Sequence, residues 1–192
     1  LASPDLVIER SEIIADLHRR AVSAGAEIKF NSRFLGLDKR GVRIDLEGSE
    51  RVVSCRALIG ADGVNSRVRA QLSTDRIPVV PLLQAETDLP PDWDSGITAV
   101  WFDPSRTSYF YWSIPDQDGK GVLGLIADPG MDVRRALDDF AREQGFSLEN
   151  YQKGSAALHQ RALVNEYRVG ELRVLFAGDS AGQVKVTTVG GT

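Results

Sequence analysis

The sequence predicts an α/β fold in which two parts of an incomplete doubly wound parallel layer, residues 1–76 and 164–192, are interrupted by a mixed antiparallel sheet over residues 77–163. Three observations lead there. The runs "RALIGAD" and "LRVLFAGD" have the continuous apolar texture of strands buried on both faces of a parallel sheet, and each stops at an Asp beside a Gly. Apolar residues at helical spacing, in "RSEIIADLHRRAVSAG", precede the first run. Between the two runs the texture changes at Pro78, Pro81, Pro90 and Pro91 and then alternates like an antiparallel sheet.

Taken in order, "RSEIIADLHRRAVSAG" is an amphipathic helix: Ile13, Ile14, Leu17, Ala21 and Ala24 recur at helical spacing, Ser11 is the expected N-cap and Gly25 the expected stop. Strand signals follow at "AEIKF", "RFLGLD", "VRIDLE" and "RVVS", with turns at Lys39-Arg40-Gly41 and Glu47-Gly48, a small antiparallel meander. After the strand "RALIGAD" the stretch "NSRVRAQL" starts a short helix. In the middle region "GITAVWF", "TSYFYWSI" and "GVLGLIAD" are three strands, the last two joined across "PDQDGKG". "DVRRALDDFAREQG" is a helix with an Asp-rich start and a Gly stop. "SAALHQRAL" is a poorly patterned candidate strand, and "LRVLFAGD" closes the series.

Composition narrows the chemistry. A net charge of −4, from 23 basic and 27 acidic residues, argues against a general nucleic-acid partner. The single cysteine, Cys55, rules out an internal disulfide, and the two histidines, His18 and His159, have no neighbours at ligand spacing, so no metal site is expected. No apolar run is long enough to span a bilayer, and the N-terminus lacks a secretory pattern. A reducing, cytoplasmic setting is the expectation, with peripheral contact to a membrane left open. A helix with no strand before it comes first and "VGGT" comes last, which reads as a piece of a longer protein.

Ligands of open α/β sheets bind beyond the carboxyl ends of parallel strands. Asp62 in "IGADG" and Asp179 in "FAGDSAG" stand at such ends, where a carboxylate accepts hydrogen bonds from sugar or ribitol hydroxyls and the adjacent Gly63 and Gly178 permit close backbone approach. Ser180 is a candidate cap for a following helix, whose free N–H groups would favour an anion.

"DGVNSRVR" fits D-G-x-x-S-x-x-R through Asp62, Gly63, Ser66 and Arg69, and "RVLFAGDSAG" fits a later Gly-Asp motif. This pair, with the helix "VIERSEIIADLHRRAVSAGAEI" led by Arg10, resembles the flavin-dependent monooxygenase and reductase superfamily with the p-hydroxybenzoate hydroxylase fold. The resemblance touches residues 1–75 and 165–192, and the stretch between is the expected substrate sheet. It implies an FAD-binding domain split by that sheet, with Asp179 on the ribityl chain, Arg10 along the ribityl-pyrophosphate stretch, and Asp62 near the dinucleotide and the approach of an NAD(P)H donor. The family's N-terminal G-x-G-x-x-G unit is absent from these residues, so the polypeptide taken alone is expected to hold FAD weakly or not at all and to be inactive.

Two stretches point to a branch. "GDSAGQVKVTTVGG" is similar to the geranylgeranyl reductase loop, with Val186 and Val189 departing from the pattern, and Gly190 and Gly191 would bring backbone N–H groups to the flavin. "YFYWSIP" resembles the aromatic strand of the same reductases. Phe110, Trp112 and Ile114 fall on one strand face and Tyr109, Tyr111 and Ser113 on the other, so the first three could line an apolar substrate cavity. The resemblance implies an FAD-dependent oxidoreductase in which NAD(P)H reduces the flavin and a hydride saturates an isoprenoid double bond. The nearest alternative is an aromatic monooxygenase or halogenase, and one of another class is a non-catalytic binding module. The cofactor carries such chemistry, and accordingly no acid–base pair or triad stands out and no catalytic residue is assigned.

Overall fold

The computed structural model describes residues 9–39, 41–73, 77–116, 118–158 and 163–184, in two compact units, 1–53 and 54–192. In the first unit, α1 (Arg10–Ser23) is preceded by Glu9 at the N-cap position. Ser11 lies inside the helix, where its Oγ donates to Glu9 Oε1 at 3.0 Å, so it does not cap as expected. Gly25 does end the helix, at φ +91°, a conformation that costs glycine nothing. "AEIKF" forms no strand. The chain instead turns at Asn31 (φ +51°) and enters β1 (Ser32–Asp38), which pairs with β2 (Gly41–Leu46) and β2 with β3 (Ser49–Val53), all antiparallel. The β2–β3 hairpin turns at Glu47 and Gly48, both at positive φ, and Asp45 Oδ1 accepts from the Gly48 N–H.

The second unit holds two sheets. The smaller has the order β10 (Glu166–Val169), β11 (Leu172–Phe176), β4 (Ala57–Gly60), with β11 and β4 parallel. Leu172, Val174 and Phe176 alternate as the buried residues of β11. Gly60 lies so close to the Phe176 ring that a Cβ there would come within 2.9 Å of it. After β4 comes a turn and the one-turn helix α2 (Arg67–Ala70).

The larger sheet is antiparallel, in the order β6 (Ala99–Trp101), β7 (Tyr111–Pro115), β8 (Lys120–Ile126), β5 (Val79–Asp88), β9 (Ser147–Ala157). One face carries Leu83, Tyr111, Leu123 and Leu125, and these pack with Leu137, Phe140 and Ala141 of α3 (Val133–Gln144) into the main core. Tyr111 stacks on Phe140 at 4.0 Å between ring centroids. α3 is capped by Asp132, whose side chain accepts from the Arg135 N–H, and stops at Gly145 in the left-handed region. Phe110, Trp112 and Ile114 are half-buried and lie off that core. Tyr109, expected opposite them, joins Phe110 and Trp112 around Val80 and Ile126, because β7 begins only at Tyr111 and strand alternation does not reach residue 109.

Candidate functional site

The parallel register sets Gly60 opposite Phe176, so the turns leaving β4 and β11 emerge on one rim. The Ala177 N–H donates to Gly60 O at 3.1 Å and carries the pairing one residue further.

In the first turn the Asp62 carboxylate is the organiser. Its Oδ1 accepts from Ser66 Oγ at 2.5 Å, and its Oδ2 from the N–H groups of Arg67 and Val68 at 2.7 and 3.2 Å. Ser66 Oγ in turn accepts from the Arg69 N–H. A carboxylate at the free N–H groups of a helix start is favourable by charge and by hydrogen bonding. Gly63 takes φ +74°, with open space where a Cβ would stand.

The second turn is a single 3₁₀ stretch, Gly178–Ala181. Gly178 has φ +66° and, again, open space on its Cβ side. Gln183 closes the turn: its Oε1 accepts from the Gly178 N–H at 2.7 Å and its N–H donates to Gly178 O at 3.1 Å. Ser180 is fully buried, with its Oγ 2.6 Å from Gly60 O and 2.8 Å from Ala177 O, so it ties the two turns together instead of capping a following helix. Asp179 is half-buried, and no described residue donates to its carboxylate.

Arg69 joins the two turns. It is 3% exposed, and its Nε donates to Ser180 O at 2.7 Å, Nη1 to Val164 O at 3.0 Å and Nη2 to Asn165 Oδ1 at 2.7 Å. Asn165 Nδ2 passes the contact on to Ala181 O at 3.1 Å. The guanidinium lies 4.1 Å from the centroid of the Phe176 ring. Among the described residues no carboxylate pairs with it.

Asp62, Gly63, Gly178 and Asp179 are thus on adjacent turns of one rim. Phe110, Trp112 and Ile114 lie on the larger sheet, and Arg10 is an exposed residue at the start of α1 in the other unit. Gly190 and Gly191 lie outside the described residues. Ser66 and Arg69 were visible as motif spacing, without the roles they have here. Gln183 lay within the reductase-like stretch without an assigned role, and Asn165 carried no sequence signal. Among the described residues no group of three or more His, Cys, Asp or Glu could hold a metal ion. A charged cleft between α3 and the 103–106 turn offers no free cation among its arginines: Arg106 pairs with Glu143, and Arg135 and Arg142 with Asp139.

The family described as "FAD binding domain" matches residues 3–120. Digeranylgeranylglycerophospholipid reductase 1 of Methanopyrus kandleri is 31% identical over 69% of this chain and 39% of its own length. Digeranylgeranylglycerophospholipid reductase 2 of the same organism is 29% identical over 96% of this chain and 51% of its own. The chain therefore spans about half the length of these relatives or less. A geranylgeranyl bacteriochlorophyll reductase-like structure from Thermoplasma acidophilum superposes with a TM-score of 0.84 at 20% identity, over 100% of this chain and 52% of that one. A flavin-dependent halogenase superposes with a TM-score of 0.64 at 16% identity, over 91% of this chain and 35% of its own.

Proposed function

The chain belongs to the FAD-binding domain family, and from that premise we propose that it is part of an FAD-dependent oxidoreductase that reduces isoprenoid double bonds, a reading supported by its similarity to proteins named digeranylgeranylglycerophospholipid reductases. The observation that carries the proposal is the rim itself. Two turns more than a hundred residues apart in sequence meet at the ends of parallel neighbours, and one of them offers a half-buried carboxylate to which no described residue donates.

These residues fit FAD. Asp179 would accept from ribityl hydroxyls, and Gly178 and Gly63 would let the backbone come close, since neither has an atom within 4 Å of its Cβ position. Asp62 would shape the rim by holding α2. Arg10, Gly190 and Gly191 are proposed cofactor contacts on the strength of the resemblance alone. Bound FAD would supply hydride transfer to the substrate, and NAD(P)H is the proposed source of its electrons. The protein's own part is position and exclusion of water. Phe110, Trp112 and Ile114, with the exposed Phe102 and Val100 on and beside β6, offer an apolar surface suited to an isoprenoid chain.

In domain terms, 1–76 and 164–192 would belong to the FAD-binding part and 77–163 to the substrate sheet. No described helix is long and apolar enough to cross a membrane. Independently of that, peripheral contact with a membrane from the cytoplasmic side is part of the proposal, as a lipid substrate would require.

The test uses the full-length protein carrying its natural upstream and downstream sequence. It should purify yellow, and after reduction it should be reoxidised anaerobically by a polyprenyl lipid. Product that appears only with oxygen would instead establish the monooxygenase reading, and a colourless protein that takes up no FAD would leave only a binding module.

A further inference from the structure

We infer that Arg69 is a positioning residue for FAD, one that sets the affinity of the rim by holding the Gly178–Ala181 turn without touching the ligand. The inference rests on the flavoprotein reading above. An arginine so deeply buried, with no carboxylate partner among the described residues, is an expensive choice if its only duty is to fill space, because a buried charge must be hydrogen-bonded throughout to be tolerated. Here each hydrogen bond from the side chain to a described residue serves one purpose. Nε holds Ser180 O directly, Nη2 holds Asn165, and Asn165 holds Ala181 O. Nη1 fixes Val164, the residue before Asn165. Two successive carbonyls of the 3₁₀ turn are therefore fixed from the α2 side of the rim, by a residue 111 positions from Ser180 in sequence.

The chemistry suits arginine and not lysine. A planar fork reaches three acceptors in fixed directions, whereas an ammonium on a flexible stem carries the same charge but cannot hold this geometry. The Phe176 ring lies under the guanidinium, and Phe176 is itself the last residue of β11, two residues before the turn begins at Gly178. Asp179 lies between the elements so held: Gly178 is fixed by Gln183, Ser180 by Arg69 and Gly60, and Ala181 by Asn165. With its neighbours on both sides fixed, the Asp179 carboxylate is presented in one direction, and a ligand need not supply the cost of ordering it.

A double-mutant cycle on full-length protein tests this, with FAD affinity read from quenching of flavin fluorescence and folding read from a thermal melt. Arg69→Lys and Asp179→Ala should each weaken FAD binding by about tenfold or more, the loss expected when a charged hydrogen bond is removed. The double variant should bind only slightly worse than the weaker single variant, because Arg69 works through the turn that presents Asp179. Asn165→Ala, which cuts the same strut at its far end, should reproduce the Arg69→Lys loss. It serves as the measurement should Arg69→Lys fold poorly. FAD binding by Arg69→Lys equal to wild type, or losses that multiply in full in the double variant, would overturn the inference while leaving the flavoprotein reading intact. Wild-type protein that binds no FAD would overturn both.

Discussion

Single residues decide the rim, and their legibility in the sequence was uneven for a physical reason. Asp62, Ser66 and Arg69 are spaced so that a short turn closes on itself: the carboxylate reaches forward to Ser66 Oγ and two N–H groups, all within six residues. Such local closure leaves a pattern that can be recognised. Gln183 fell within the reductase-like loop without an assigned role, and Asn165 leaves no pattern, because among the described residues its side chain meets only Arg69, 96 residues away, and a backbone carbonyl. The local network makes a clear prediction. Asp62→Ala leaves Ser66 Oγ and two N–H groups without their acceptor and should cost about 1–2 kcal/mol of stability, as measured by chemical denaturation. A change within a few tenths would mean that water replaces the carboxylate at no cost. Tyr111 gives a prediction in pH. Burial pushes its hydroxyl's ionisation above the ordinary tyrosine range, and the nearby Arg106 only partly counters this. A raised folded-state pKa means that stability is complete below the unfolded value, about 10, and is lost as pH rises through the folded one. Denaturation midpoints should therefore fall steeply above that pH. The fall should be shallower in Tyr111→Phe, with Tyr109 and Tyr151, whose ionisation burial also raises, contributing to what remains.

At the scale of elements, the strands that escaped the sequence are as informative as those that did not. β5 is ten residues long and lies between β8 and β9, yet Pro81 within it and Pro78, Pro90 and Pro91 around it read as breaks. Pro81 is tolerated because its carbonyl accepts from the Ala127 N–H, so its missing donor faces the same side, one residue before the β5–β8 register begins at Leu82. β9 is a polar edge strand with a register shift opposite Ala85 and Asn150 at φ +49°, features that blunt an edge and also hide its periodicity. "AEIKF" fails in the opposite way. It has strand-like alternation but no ladder partner among the described residues, and alternation without a partner does not make a strand. The β7–β8 pair carries a prediction of its own. Trp112 is the cross-strand partner of Gly124, and a Cβ on Gly124 would fall 2.0 Å from the indole ring. The indole lies flat on the bare backbone, the arrangement in which an aromatic residue compensates a strand glycine. Gly124→Val must lift the ring and should cost about 1–3 kcal/mol, the range for overpacking. The near-ultraviolet circular dichroism of the tryptophans should change with it. Because Trp112 belongs to the proposed substrate surface, the variant should also shift the preference of the full-length protein among geraniol, farnesol and geranylgeraniol. An unchanged spectrum with an unchanged melt would show that the indole does not lie over Gly124 in solution.

For the whole molecule, the division of labour between burial and exposure leads to the last prediction. The unit over 54–192 has a closed core, with Leu83, Tyr111, Leu123, Leu125 and Leu137 fully buried between a sheet and α3. The unit over 1–53 differs. None of the described residues of α1 is buried, and Ile13, Ile14 and Leu17 are 43, 55 and 58% exposed. These three recur on one stripe of the helix, the pattern that normally marks a face turned to a core. Removing what is still exposed of such half-covered side chains from water is worth about 1 kcal/mol each, roughly half the value for a fully exposed one, so a free stripe is a standing drive to association. A contiguous exposed apolar patch of this kind marks an interaction surface or an aggregation liability. The polypeptide of 192 residues should therefore sediment as a concentration-dependent mixture and bind a hydrophobic dye. Replacing Ile14 and Leu17 by Glu and Lys should abolish both effects while keeping the helical circular dichroism, since both new residues are good helix formers on an exposed face. A polypeptide that stays monomeric and dark to the dye at every concentration would show that the stripe is covered by residues of the chain itself. In that case the amphipathic pattern that identified α1 in the sequence would have been satisfied within these 192 residues.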